Sequence, residues 1–312
     1  LGQFWVDNPQ RALANNSAVY NERPEPETFW REWTTLVASG SGERGIYNRG
    51  AALKKAPGRR KLEGINKQQL GTNPCAEISL RPREFCNLTS VVVRASDTEA
   101  DLHRKVRIAS KMGTIQSTLT QFGWLDTINK DWQKNAEEER LLGVSLTGVM
   151  DHKILHKDPA LLDRLRQTAV ETNREFAHQL GIEPAAAVTT IKPEGTSSSV
   201  NNSAPGFHSR FSPYYLRHVR INATDPLYRM LRDQGMKFVP EVGQDHLEPD
   251  QVKTWVCAFP VAAPKGATTI NDLTAISQLE IWKTLNTYWA EHSVSATISV
   301  GQDEWADVGS WV

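Results

Sequence analysis

Two long amphipathic stretches, set among short β-branched runs, constrain this chain more than any other feature. Within residues 102–122, apolar side chains recur as Leu102, Val106, Ala109, Met112, Ile115, Leu119 and Phe122. Steps of three and four place them on one face of a helix. Residues 161–180 repeat the pattern, with Gly181 placed as a C-cap. Residues 90–93, 141–149 and 188–191 are short, apolar and β-branched and predict strands. Phe29, Trp30, Trp33, Leu36 and Val37 mark an earlier helical face. Ala275, Leu279, Trp282, Leu285 and Trp289 mark a late one, and residues 293–300 then alternate as a further strand. The Gly-rich, basic residues 39–61 read as a loop. Short strands separated by long helices predict an α/β fold with parallel or mixed strands, as a barrel or an open sheet.

Charge and cysteine usage narrow the function classes. The 312 residues hold 36 Lys+Arg and 36 Asp+Glu, a formal net charge of zero. Proteins that coat nucleic acid or lie on membranes rely on a basic excess, so neither role is expected. No run approaches the roughly 18–20 apolar residues of a membrane span. The first residues have neither the basic nor the apolar region of a signal peptide. Three cysteines are too few and too odd for a disulfide framework, so a reducing cytoplasm is expected. Residue 1 is not Met and the chain stops within an apolar pattern, which predicts an internal fragment of a longer protein.

The densest chemistry lies in Gly71-Thr-Asn-Pro-Cys-Ala-Glu-Ile-Ser-Leu80. The thiol of Cys75 is flanked, two residues to either side, by the amide of Asn73 and the carboxyl of Glu77. Pro74 stiffens the backbone between them. In an extended segment, positions i and i+2 share a side, which would make the three groups converge on one small substrate. The same residues also fit a buried cysteine in a polar turn. Residues 192–199, Lys-Pro-Glu-Gly-Thr-Ser-Ser-Ser, follow a predicted strand. They offer backbone N–H groups and hydroxyls to an anion, or form a plain solvated loop. Cys257, within Trp-Val-Cys-Ala-Phe, reads as a core residue, and no metal site is predicted.

Asn73-Pro-Cys-Ala-Glu77 resembles the active-site motif of ribonucleotide reductases. Four more segments resemble that family in the same order. They are Asn8-Pro-Gln-Arg-Ala-Leu-Ala-Asn-Asn-Ser-Ala-Val-Tyr20, Arg140-Leu-Leu-Gly-Val-Ser-Leu-Thr-Gly148, Lys192-Pro-Glu-Gly-Thr-Ser-Ser and Trp289-Ala-Glu-His-Ser-Val-Ser-Ala-Thr-Ile298. The likeness implies the central and C-terminal part of a ten-stranded α/β barrel. Residues 1–312 would then be a single partial catalytic domain, with a finger loop around 71–90 and a phosphate loop around 192–199.

The resemblance also implies a chemistry. Cys75 would carry a thiyl radical, Glu77 would act as general base on the ribose 3′-hydroxyl, and Asn73 would hydrogen-bond the ribose. Cys86, 11 residues after Cys75, would be one member of a redox-active dithiol. That short separation resembles the adenosylcobalamin-dependent class II enzymes. A class I large subunit, with its radical from a metal-bearing partner subunit, is the alternative, as is a catalytically incomplete fragment. No cysteine precedes Cys75, so the second reducing thiol is expected outside these residues and the chain alone is expected not to turn over. Gly195, Thr196, Ser197 and Ser198 would bind substrate phosphates, with His208 and Arg210 as second choices. Ser203-Ala-Pro-Gly-Phe-His208 looks most like the monomeric, triphosphate-using branch of class II. The implied partners are a ribonucleoside triphosphate, a thioredoxin-type reductant and a deoxynucleotide effector.

Overall fold

A computed structural model describes residues 8–10, 17–40, 45–60, 62 and 69–312. They fall into two compact units, the described part of Leu1–Arg210 with Gly266–Val312, and Phe211–Lys265.

At the centre of the larger unit, strand Leu142–Thr147 is buried at all six positions. Strands Asn87–Val92 and Thr189–Thr190 flank it, both parallel, with Asn87 opposite Leu142 and Val144 opposite Thr189. Parallel neighbours need long crossovers, and helices Glu99–Gln116 and Pro159–Leu180 lie within them. Leu102, Val106, Leu162, Leu165 and Ala169 join Val144, Leu146 and Trp289 in one core. Thr98 and Asp101 form a capping box at one helix start, and Asp158 accepts from the N–H of Leu161 at the other. Gly181 ends the second helix at φ 67°, as expected. A cap contributes about 1 kcal/mol, against roughly 1.5–3 kcal/mol for each fully buried Leu. The apolar faces therefore decide where the helices lie, and the caps decide where they begin. The α/β class expected from the sequence holds.

Three expectations change. Helix Glu99–Gln116 ends before Leu119 and Phe122; it buries Leu102, Val106, Ala109 and Gly113 but leaves Ile108, Met112 and Ile115 exposed, and Leu119 beyond it is exposed too. The small residues face inward because the sheet approaches closely: a Cβ on Gly113 would lie 3.1 Å from the Leu142 side chain. Within residues 39–61, strand Gly45–Asn48 pairs in parallel with Ser17–Tyr20, and helix Arg49–Lys55 begins where Asn48 accepts from the N–H of Ala51 at 2.8 Å. Residues 11–16, 41–44 and 61 of the segments named above lie outside the described residues. Residues 293–300 form no strand beyond a single bridge between Ile191 and Val294. Side chains take their backbone groups instead: Trp282 Nε1 donates to Val294 O at 3.0 Å, and the Ser299 N–H donates to Gln278 Oε1 at 3.2 Å.

The smaller unit is built on an antiparallel pair, Tyr214–Asn222 with Thr254–Ala262, and a short edge strand Val239–Pro240. Ile221, Tyr228 and Cys257 form its core with Trp255 and Phe259, so Cys257 is a core residue as expected. Its sheet was not legible in the sequence, because a long connection separates the paired strands. No helix among the described residues is long and apolar enough to cross a membrane.

Candidate active site

Strands Gly71–Thr72 and Ser79–Leu80 pair antiparallel and carry the Cys75 motif on the turn between them. The Asn73 N–H donates to Ile78 O at 3.1 Å, the Ala76 N–H to Asn73 O at 3.0 Å, and the Ile78 N–H to Asn73 Oδ1 at 3.0 Å. Ala76 adopts φ 61°, a left-handed conformation that costs a non-glycine residue about 1–2 kcal/mol. The segment is therefore a tight turn and not extended, so side-chain alternation does not align the three groups. Closure of the turn instead fixes Asn73, whose Oδ1 is held by the Ile78 N–H and whose side chain lies close enough to Glu77 to oppose the rise in its pKa. Cys75 is exposed, while Glu77 is 2% exposed.

Glu77 is fixed at its backbone. Its carbonyl accepts from the Ser293 N–H at 2.9 Å and from Thr190 Oγ1 at 3.2 Å, which docks the hairpin on the end of the third parallel strand. Its Oε2 is buried with no partner among the described residues. Burial raises the Glu77 pKa, and the Asn73 hydrogen bond and the Lys192 charge oppose that rise. Burial, then the Glu77 charge, raises the Cys75 pKa as well. A protonated S–H is the form from which a hydrogen atom can be removed.

Cys86 precedes strand Asn87–Val92 and packs with Leu80 on Leu141, Ala186 and Ala187. A Cβ on Gly143 would lie 3.3 Å from both the Cys86 sulfur and Ile78 Cδ1, so the hairpin and Cys86 meet over that glycine. Burial pushes the Cys86 thiol far up; Arg60 pulls it down, and Glu84 and Glu77 push further up. All three cysteines are free. Sequence reasoning missed Arg60, Glu84 and Glu139, which form a buried ion cluster beneath the hairpin. Nothing in their local sequence marks them, because their partners come from distant segments.

The 192–199 segment is anchored by hydroxyls that the central strand buries. Ser145 Oγ accepts from the Lys192 N–H at 2.9 Å, and Thr147 Oγ1 accepts from the Gly206 N–H at 3.0 Å. Gly206 must be glycine, since its φ is +54° and a Cβ would lie 2.4 Å from Lys192 O. Gly195 and Thr196 are exposed, whereas Ser197 donates to Glu194 and Ser198 is buried against Gly195 O. Among the described residues, no backbone carbonyl accepts from the N–H groups of Gly195, Thr196 or Ser197. Glu194 also accepts from Ser90 Oγ and pairs with Lys192 Nζ at 3.1 Å. His208 and Arg210 serve the fold. His208 is bonded through both ring nitrogens, to Pro205 O and the Thr297 N–H, each at 3.0 Å. Arg210 makes a buried two-point pair with Asp151, both contacts at 2.8 Å. No group of three or more His, Cys, Asp or Glu among the described residues is arranged to hold a metal ion.

Comparison with known proteins gives one consistent picture. The chain resembles adenosylcobalamin-dependent ribonucleoside-triphosphate reductases along nearly its whole length. The Lactobacillus gasseri enzyme of that name is 28% identical over 336 residues, covering 96% of this chain and 42% of the relative. The Euglena gracilis enzyme is 29% identical over 239 residues, 74% of this chain and 30% of the relative. The chain thus spans less than half the length of the curated relatives it matches. A crystal structure of a B12-dependent class II ribonucleotide reductase superposes with a TM-score of 0.74 at 21% identity, covering 98% of this chain and 46% of that one. A class Id ribonucleotide reductase alpha subunit from Actinobacillus ureae reaches 0.54 at 16% identity, over 92% of this chain and 56% of that one. No protein-family model matches the chain.

Proposed function

We propose that this chain carries the catalytic thiol site of an adenosylcobalamin-dependent ribonucleoside-triphosphate reductase, as the central and C-terminal part of its α/β barrel. The observation that carries the reading is the hairpin, which exposes Cys75, buries Glu77 beside it and seats Ile78 against the same glycine as Cys86. An exposed, protonated thiol fits a radical source that must reach the sulfur. When bound, adenosylcobalamin supplies the removal of a hydrogen atom from the Cys75 thiol.

The chain's own residues do the rest. The Cys75 thiyl takes the ribose 3′ hydrogen atom and later returns one. The Glu77 carboxylate, beside Asn73, takes the 3′-hydroxyl proton; its Oε2 has no partner among the described residues to compete for that role. The 2′-hydroxyl leaves as water, taking a proton from a thiol of the reducing pair. Two electrons come from a dithiol that closes to a disulfide, with Cys86 as one member and the other thiol outside these residues. The three N–H groups at Gly195, Thr196 and Ser197 face the triphosphate, with Lys192 offsetting the Glu194 charge. A thioredoxin-type protein re-reduces the disulfide, and a deoxynucleotide effector regulates the complete enzyme.

Two exposed features support a larger body around this part. Among the described residues, strand Asn87–Val92 pairs on one side only. Helix Glu99–Gln116 presents the exposed apolar row Ile108, Met112 and Ile115, followed by exposed Leu119. Further strands and helices of the same protein would cover both.

The test is reduction of ribonucleoside triphosphates by the complete protein that carries this chain, supplied with adenosylcobalamin and a dithiol. Deoxynucleotide formation that requires both is expected. Formation that proceeds without adenosylcobalamin but requires a metal-bearing second subunit would replace this reading with the class I one.

A further inference from the structure

Three segments that meet at the site share one side chain. Arg60 Nε donates to Glu139 Oε2 at 2.9 Å, Nη1 to Ser79 O at 3.0 Å and Nη2 to Glu84 Oε2 at 3.2 Å. Ser79 belongs to the returning strand of the Cys75 hairpin. Glu84 lies two residues before Cys86. Glu139 ends helix Asp131–Glu139, two residues before Leu141, on which Cys86 packs. The Arg60 side chain is 2% exposed and the two carboxylate side chains 0% and 6%. Arg81 closes the cluster, with its backbone N–H on Glu84 Oε2 at 2.7 Å and its Nε on Glu84 Oε1 at 2.9 Å. The mechanism above uses none of these groups.

We infer that Arg60 is a positioning residue, which holds the Cys75 hairpin in register with Cys86. The physical basis is the fixed fork of the guanidinium. It presents several donors in one plane, so it can bridge two carboxylates and a carbonyl at set distances, whereas a lysine ammonium acts as a single point. The hairpin's ladder is short, Gly71–Thr72 with Ser79–Leu80; Asn73 closes its turn and Ser293 and Thr190 hold the Glu77 carbonyl, but neither set of bonds ties the hairpin to the lead-in to Cys86. The Arg60 bond to Ser79 O adds an anchor at the base of that ladder. It is the same side chain that fixes the lead-in to Cys86. Loss of Arg60 therefore lets the turn shift relative to Cys86 while leaving the nucleotide loop, anchored separately on Ser145 and Thr147, in place.

The activity arm of the test rests on the reductase reading; the exchange arm does not. In the complete protein, Arg60→Met and Arg60→Lys are compared with the parent by steady-state kinetics and by amide hydrogen exchange. Arg60→Met is expected to lower kcat by about 10²-fold, the scale of a small misplacement of reacting groups, with KM changed less than about 3-fold. Arg60→Lys should recover part of the rate. Exchange should quicken in residues 71–88 and stay unchanged in Pro159–Leu180. Should Arg60→Met fail to fold, Glu139→Leu, which has no acceptor, removes one leg of the fork and is expected to give the same pattern at smaller size. Equal loss of protection throughout the larger unit, or unchanged exchange in residues 71–88, overturns the inference. If the complete protein lacks reductase activity altogether, the exchange result still decides the positioning role.

Discussion

Cys75 and Glu77 stand two residues apart on opposite sides of a burial boundary, the thiol in solvent and the carboxylate 2% exposed. Ala76 makes the separation possible, because its left-handed backbone turns the chain inward between them. The sulfur is thus open to solvent, while the carboxylate stays in a dry setting that strengthens its hydrogen bonds.

Cys75→Ser keeps the size of the side chain and removes the group able to carry a stable radical. In the complete protein it should abolish reduction while nucleotide binding persists. Turnover measured by deoxynucleotide formation should fall below a few per cent of the parent, and any higher residue of activity would remove Cys75 from its role.

Glu77→Gln and Cys86→Ser should separate base from reductant. Losing the base should lower kcat by about 10²–10⁴-fold, with nucleotide affinity kept. Losing Cys86 should permit at most one turnover per protein in a single-turnover quench, with no steady state on dithiols. Sustained turnover by Cys86→Ser would show that another thiol pair reduces the substrate.

His292 should make the chain sensitive to acid. Its Nε2–H donates to Leu142 O at 3.0 Å, its Nδ1 is buried without a partner among the described residues, and Lys55, Arg59 and Arg60 face it. Burial, with those cations, lowers its pKa to about 3, against about 6.5 when unfolded. The unfolded chain therefore binds the extra proton first. The stabilisation is complete above about pH 6.5 and is lost as pH falls toward 3. In urea unfolding, the advantage of the parent over His292→Gln should shrink between pH 7 and pH 4. A pH-independent difference would mean that His292 takes up its proton alike in the folded and unfolded chain.

Gly148→Ala should destabilise the larger unit. Gly148 has φ +79°, and a Cβ would lie 2.5 Å from Val93 O, a backbone atom with no freedom to move aside. A loss above about 2 kcal/mol is expected, read as a fall in the thermal midpoint. Gly181→Ala, with a similar φ but open space around it, should cost about 1 kcal/mol.

Much of the scaffold was legible because helix periodicity and β-branched runs are local signals. The helical stretch 161–180 reads from spacing, and its Gly181 cap from residue identity. The Asn73, Cys75 and Glu77 motif could be read, but its shape could not: extended alternation was expected, and a left-handed Ala76 leaves no mark in residue identity. Arg60, Glu84 and Glu139 were invisible because their meaning lies in pairing across distant segments. Residues 293–300 looked like a strand, yet Trp282 and Gln278 occupy backbone groups that a ladder would have used.

Ser145 and Thr147 tie durability and usefulness to the same two hydroxyls. Each accepts from a backbone N–H, that of Lys192 and that of Gly206, so valine or alanine there would leave these donors without a partner at a cost of about 1–3 kcal/mol each. A laboratory lineage bred only to survive heating should therefore keep both, just as one screened for turnover should, and harden elsewhere.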